Sequence, residues 1–323
     1  MIVIKKVRSL DVSTQQKSRF TQTGWLFLLV FSVFIYGSHA PLITLCKVDG
    51  KVPFSPSSCV VLIEVTKLLI SLGLLLIQDL HSLQVTLSWG HMVPYAFPAV
   101  LYAINNNLVV YMQLYMDPST FQVLSNLKII STALLYSLFL NKHLLPVQWW
   151  AVCLLMMAGV CHTYSSLDHT EEEKGEAVVG TQFHISVLGL VLVLSYCFVS
   201  GLAAVYTELI LKTQRLPLNL QNLFLYVFGV AVNCCAHFTN AGPGFFEGYS
   251  WVVWLIVTTQ ALNGLFMSLV MKHSSNITRL FVISCSMLVN AVLSVSLFSL
   301  QLTPLFFVSV VLIGLAIYLY YHA

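Results

Sequence analysis

Charge is nearly absent from long stretches of this chain, and that absence sets what the chain can fold into. No Lys, Arg, Asp or Glu occurs between Arg19 and Lys47, Asp79 and Asp117, Glu176 and Glu208, Arg215 and Glu247, or after Arg279. A helix needs about 20 apolar residues to cross the hydrocarbon core of a bilayer, and roughly ten such runs follow one another here. They cover 24–46, 58–78, 91–113, 118–140, 147–165, 184–211, 219–238, 250–271, 276–298 and 304–321. Backbone inside lipid must satisfy its own hydrogen bonds, and runs of this length do so as helices rather than as barrel strands of about ten residues. The expected fold is therefore all-α, a polytopic membrane protein with ten transmembrane helices.

The segment before Trp25 is polar and basic. The first apolar run has no small-residue cleavage site and exceeds the core of a signal peptide, so it is read as the first membrane helix. With the N-terminus in the cytosol, nine basic residues fall on the cytosolic side: Lys5, Lys6, Arg8, Lys17, Arg19, Lys142, Lys212, Arg215 and Lys272. Three, Lys47, Lys51 and Lys174, fall on the other. This is the bias that the positive-inside rule demands, and an even number of crossings returns the C-terminus to the cytosol. The acidic run from Asp168 to Glu176 then lies in a solvated loop on the far side.

Several function classes drop out. A net charge of +3 is too small to imply nucleic acid as a partner. Most of the eight cysteines sit inside the helices and none forms a Cys-x-x-Cys pair, while the ten histidines show no metal-ligand spacing. No metal and no cofactor is expected. No Gly-rich phosphate loop is present for ATP hydrolysis, and no nucleophile or carboxylate dyad is placed for enzyme chemistry. If the protein moves a solute, it does so as a secondary transporter, with the lipid bilayer as its solvent.

Such transporters often contain internal repeats. The stretch from Asp117 to Gly159 pairs with the stretch from Ser275 to Gly314. Each has a polar opening, a helix with a cation a few residues in, a break at Pro146 or Pro304, and a final apolar helix. Five crossings separate the copies, so they would be inserted in opposite directions, as a five-plus-five inverted repeat with a substrate site near the midplane.

Three cations lie within the apolar runs. Each costs about 2.5–3.5 kcal/mol near the bilayer centre even on the lenient translocon scale. Lys67 has Glu64 three residues earlier on the same helix face, so it is either self-neutralised or available to substrate. Lys128 and Arg279 have no acidic residue one turn away, and they occupy equivalent helices of the proposed repeat. Two unpaired cations facing one cavity call for an anion. Arg279, near the start of its helix, has the alternative of snorkelling to the surface. Asn105, Asn106 and Asn107 sweep an arc wide enough that at least one faces the bundle, and Asn222, Asn263, Gln221 and Gln260 add further amides. Any one amide is better explained as a link between helices. With Tyr102, Tyr111, Tyr206 and Tyr226 they offer a flat surface for a base, donors for its edges, and positive charge for phosphate.

These residues resemble the nucleotide-sugar transporters of solute carrier family 35, subfamily A, in the drug/metabolite transporter superfamily. The likeness runs from about Trp25 to Tyr320. It is carried by Ile63-Glu64-Val65-Thr66-Lys67-Leu68, Asn106-Asn107, Asn126-Leu127-Lys128-Ile129, Val205-Tyr206-Thr207-Glu208 and Lys272-His273-Ser274-Ser275-Asn276-Ile277-Thr278-Arg279. The runs His39-Ala40-Pro41-Leu42 and Met116-Asp117-Pro118-Ser119-Thr120 are nearest one member of that subfamily. The resemblance implies a drug/metabolite transporter fold in the Golgi membrane, with both termini cytosolic. The chain then divides into a cytosolic segment 1–23, a first five-helix repeat 24–165, a luminal loop 166–183 and a second five-helix repeat 184–323. It also implies exchange of a nucleotide sugar for nucleoside monophosphate. Lys128 and Arg279 would hold phosphate, while Tyr102, Asn106, Ser200, Asn222 and Tyr226 would line the nucleoside and sugar pocket. Glu64, Lys67 and Glu208 are candidates for an ion pair or gate. A homodimer, or association with other Golgi transporters, is compatible with the family.

Departures from the family separate this chain from the sialic-acid carriers. Phe121 and Ser125 replace tyrosines, Gln221 replaces an arginine, Ser275 an acidic residue and Arg279 a lysine. UDP-linked sugars are the class implied first, with a CDP-linked alditol also compatible and CMP-sialic acid less so. Two other classes stay open. One is a proton-coupled metabolite exporter using Glu64 or Glu208, and the other is a non-transporting scaffold for Golgi transporters or glycosyltransferases.

Overall fold

The computed structural model describes residues 22–47, 52–78, 89–112, 115–116, 118–173, 187–239, 244–298 and 302–323. The side chains of Asn106, Asn107, Val110, Tyr111, Pro118, Ser119, 166–173 and Thr239 lie outside that description. All the described elements are helices. Among the described residues nine spans are long and apolar enough to cross a membrane. They are Gln22–Cys46, Pro56–Gln78, Thr120–Leu140, Pro146–Ser165, Val187–Thr213, Leu218–Phe238, Trp251–His273, Asn276–Phe298 and Pro304–Tyr321. A further helical stretch, third in chain order and counted with them below, is built from Trp89–Met92, a 3₁₀ turn Val93–Tyr95 and Ala96–Met112. The protein is thus an all-helical, multi-pass membrane protein, and the crossings are numbered first to tenth below.

Helices in this chain break where the residue chemistry requires it. The first crossing divides at Ser38 into Gln22–Gly37 and His39–Cys46, because Pro41 lacks an N–H and its ring clashes with the carbonyl four residues back. The fourth divides at Asn126 and Leu127 into Pro118–Ser125 and Lys128–Leu140. There the N–H groups of Asn126 and Leu127 donate to carbonyls three residues back, at 3.2 and 3.0 Å, tightening the turn. The Asn126 amide donates to the Gln122 and Val123 carbonyls at 3.1 and 3.2 Å and to Thr163 Oγ1 at 3.3 Å. A short polar side chain competing for local backbone is the physical cause of the break. Lys128 therefore opens a new helix within the membrane. The fifth helix, Pro146–Glu173, runs past position 165 into the acidic run that the sequence reading treats as a loop.

The second and seventh crossings lie antiparallel along their whole length. Ser57 Oγ meets His237 Nδ1 at 2.8 Å, Lys67 meets Tyr226, and Asn219 Nδ2 donates to Gln78 Oε1 at 3.3 Å, so one index falls as the other rises. The fifth packs on the tenth. The sixth packs on the third and fourth as the first packs on the eighth and ninth, and the second meets the eighth as the seventh meets the third. Large apolar side chains such as Phe27, Leu138 and Val311 point outward, while Ser71, Glu208 and Gln221 are fully buried. That is the distribution expected where the solvent is lipid.

Candidate functional site

The site is assembled on the second crossing and grows toward one end of the bundle. Glu64 and Lys67 form an ion pair at 2.5 Å, made by the three-residue spacing within one helix. Two glycines let neighbouring helices come close enough to enclose it. A Cβ at Gly229, on the seventh crossing, would lie 2.7 Å from the Glu64 carboxylate, and one at Gly264, on the eighth, 2.7 Å from Lys67 Cδ. The Lys67 ammonium sits 4.5 Å from the centroid of the Tyr226 ring. The Tyr226 hydroxyl meets Ser268 Oγ at 3.3 Å, and Tyr102 stands half-buried on the third crossing, which packs against the seventh.

One face of the eighth crossing links this group to the next. Gly264 faces Lys67, Ser268 faces Tyr226 and Met271 Sδ accepts from Arg279 Nη1 at 3.9 Å. Positions four and three apart form a single stripe, about 10 Å long at 1.5 Å rise per residue. The Nε of Arg279 is buried without a partner. The fourth crossing that Lys128 opens packs on the sixth and the ninth, and Ile129 and Leu280, next to Lys128 and Arg279 in the chain, share one core cluster. Among the described residues there are two Lys–carboxylate pairs, Glu64–Lys67 and Glu208–Lys212, and Lys128 and Arg279 belong to neither. Lys128 is half-buried at the start of its helix segment, where the helix dipole adds positive potential of its own. Ser200 lies three residues past Cys197, on the same face of the sixth crossing and half-buried.

The other candidates fall in several places. Asn222 is buried, one turn from Tyr226, and its Oδ1 has no partner. Between the Lys67–Tyr226 and Gln78–Asn219 contacts, the antiparallel register sets Asn222 level with Ser71, whose Oγ is also buried and unpartnered. Asn106 lies outside the described side chains. Glu208 does not join the Glu64–Lys67 pair but forms a second one. It is fully buried, 2.6 Å from Lys212 Nζ, and its Oε2 accepts the backbone N–H of Asn276 at 2.7 Å. The residues that depart from the sialic-acid carriers also have structural places. Phe121 packs edge-on against Tyr196 at 5.5 Å, and Ser125 turns back to donate to the Gln122 carbonyl at 2.8 Å. Gln221 is fully buried and donates to the carbonyls of Gln214 and Leu216 at 3.0 and 2.8 Å. Ser275 Oγ accepts the Thr278 N–H at 3.2 Å.

The sequence pattern of the family described as nucleotide-sugar transporter matches residues 26–321. The chain belongs to the nucleotide-sugar transporter family. It is similar to proteins named probable UDP-sugar transporter protein SLC35A4 from three vertebrates. It is 57% identical to that of Xenopus tropicalis over 94% of both chains, and 58% identical to that of Danio rerio over 97% of this chain and 98% of the other. The Homo sapiens relative is 53% identical over 93% of this chain and 94% of its own. A crystal structure at 12% sequence identity superposes with a TM-score of 0.69 over 93% of this chain and 96% of that one, which is a likeness of fold. As a member of a transporter family the chain is not an enzyme, and the family implies a nucleotide sugar as substrate.

Sequence reasoning missed four residues that this transporter's geometry brings to the fore. In the sequence Lys212 stands only as a basic residue at the membrane edge, although its spacing of four from Glu208 signals a pair. Ser268 and Met271 carry no signal until the eighth crossing is docked. Ser71 lies one turn beyond Lys67, but nothing in its identity announces that it is buried.

Proposed function

We propose that this protein is an antiporter that carries a nucleotide sugar, UDP-linked, into the Golgi lumen in exchange for nucleoside monophosphate by alternating access. The observation that carries the reading is the pair Lys128 and Arg279, on packed fourth and ninth crossings whose neighbouring Ile129 and Leu280 share one core cluster, with neither charge offset by a carboxylate among the described residues. The relatives' printed name supports the uridine nucleotide. Lys128 and Arg279 bind phosphate; Tyr102, Asn106, Ser200, Asn222 and Tyr226 take the nucleoside and sugar, and Glu64 and Lys67 form a pair that ligand can reorganise. The architecture is a five-plus-five inverted repeat, 24–165 and 184–323. It is supported by packing in which each contact of the first or second crossing has a counterpart five crossings along, while the fifth and tenth pack on each other. Both termini are cytosolic, in keeping with Lys142, Lys212, Arg215 and Lys272 at the ends of the fourth, sixth and eighth crossings.

Exchange follows from charge. An empty carrier would take two uncompensated cations through a low-dielectric occluded state, whereas an anionic nucleotide neutralises them on passage. Both legs use one site because nucleotide sugar and nucleoside monophosphate share base and phosphate. A ligand that bound both open states equally would shift no population, so binding energy must favour the occluded state. The test is uptake of labelled nucleotide sugars into proteoliposomes preloaded with unlabelled UMP or CMP. Lys128→Ala and Arg279→Ala should abolish uptake in folded protein. Wild-type uptake in both variants sinks the phosphate clamp, and wild-type protein that binds partners but exchanges nothing identifies a scaffold.

A further inference from the structure

We infer that Glu208 is a positioning residue for the anion site: its carboxylate fixes the first turn of the ninth crossing and so presents Arg279 to Lys128. The inference rests on the reading of Lys128 and Arg279 as phosphate ligands, and it gives Glu208 a different task from proton carriage.

The first N–H groups of any helix have no partner within it. In the ninth crossing, Asn276–Phe298, two of them are satisfied from outside. Ser275 Oγ accepts the Thr278 N–H at 3.2 Å, and Glu208 Oε2, from the sixth crossing, accepts the Asn276 N–H at 2.7 Å. The Arg279 N–H is the next to be satisfied, by the Ser275 carbonyl at 3.2 Å. A negative charge at a helix N-terminus is favourable, and more so where water is excluded. Glu208 is fully buried, so its charge must be matched. Lys212 supplies the match at 2.6 Å and donates also to the Ser274 carbonyl. The sixth crossing therefore grips the turn between the eighth and ninth at both Ser274 and Asn276.

That turn sets the site. Met271 precedes it and Arg279 follows it, each by about one helical turn, and the two side chains meet at 3.9 Å. Lys128 and Arg279 carry like charge on the packed fourth and ninth crossings, where Ile129 and Leu280 beside them share one core cluster, so without ligand something must hold the ninth helix where it is. The grip of Glu208 and Lys212 does this, helped by Tyr321, whose hydroxyl donates to Thr278 Oγ1 at 3.3 Å. Neither Glu208 nor Lys212 needs to touch the nucleotide.

The test uses the full-length chain in detergent and the double variant Glu208→Gln/Lys212→Gln, which removes both charges together and orphans neither. UMP affinity, with CMP as a second probe, should fall at least roughly tenfold in the double variant. It should also fall in Arg279→Ala, and the triple variant should bind no more weakly than Arg279→Ala alone. Losses that add, or wild-type affinity in the double variant, overturn the proposal. Should the double variant not fold, Glu208→Asp keeps the pair but draws the carboxylate back from Asn276, and its loss too should vanish when Arg279 is alanine. A second readout needs no ligand: a short thiol cross-linker should join Lys128→Cys to Arg279→Cys, and the double variant should lose that cross-link. Retained cross-linking overturns the positioning role. Wild-type protein that binds neither nucleotide refutes the transport reading, while cross-linking still decides the role of Glu208. Binding untouched, with a flattened pH dependence of transport, assigns Glu208 to proton carriage instead.

Discussion

The Lys67 ammonium lies over the face of Tyr226, 4.5 Å from the ring centroid, while its charge is matched by Glu64 at 2.5 Å. An aromatic face in a dry site attracts a cation by about 2 kcal/mol, so the tyrosine, on another helix, completes what the local ion pair begins. The same ring is the surface proposed to receive the nucleoside.

Tyr226→Phe and Tyr226→Ala separate the two parts of that side chain. Phenylalanine keeps the ring over Lys67 and loses only the 3.3 Å contact with Ser268, so affinity for UMP and for its sugar conjugates should change a few-fold. Alanine removes the ring, and affinity for both ligands should fall roughly tenfold or more. Ligand-dependent thermal shifts measure both. If the alanine variant binds both ligands normally, Tyr226 does not line the pocket.

Gly264→Ala probes how tightly the pair is enclosed. The new methyl would sit 2.7 Å from Lys67 Cδ, so Lys67 must swing away from the Tyr226 ring. The expected loss is ~1–3 kcal/mol, the usual range for overpacking, seen as a lower melting temperature in detergent. An unchanged melting curve would mean that Lys67 has room to spare.

Lys128 and Arg279 should differ in their tolerance of the other basic side chain. Lys128→Arg exchanges a compact ammonium for a wider planar fork at the start of a helix segment, and exchange should fall roughly tenfold. Arg279→Lys keeps the charge beside Met271 and should lose less, read as initial rates of nucleotide-sugar uptake. Equal losses would mean that the two cations do not hold distinct places.

Asn276-Ile277-Thr278 matches the acceptor pattern for N-glycosylation, yet Asn276 is buried with its backbone N–H on Glu208. The folded protein should carry no glycan there, and endoglycosidase should not alter its gel mobility. In the proposed orientation Asn276 also lies at the cytosolic entrance to the ninth crossing, on the side where no glycan is added. A mobility shift lost in Asn276→Gln would contradict the packing of the ninth crossing.

The membrane helices were legible in the sequence because lipid leaves the backbone one economical choice, so hydropathy and helix nearly coincide. The same is true of Glu64 and Lys67, which meet through a spacing within one helix. It is also true of Lys128 and Arg279, whose isolation from any acidic neighbour is visible in the chain itself. The break at Asn126 was not read, since an amide ends a helix only if it bonds to its own backbone, which packing against Thr163 helps to decide. Helix continuing to Glu173 was hidden by the acidic run at its end.

What the sequence by itself determined, then, was how many apolar segments there are and which of them carry charge, both properties of contiguous residues. Only the tertiary structure decided that Lys67 faces Tyr226, that Met271 receives Arg279, and that Glu208 caps the helix opened by Asn276. Those pairs are far apart in the chain. Their meeting depends on the rotation and depth of packed helices, which close contacts at small residues such as Gly229 and Gly264 set and which no local pattern encodes.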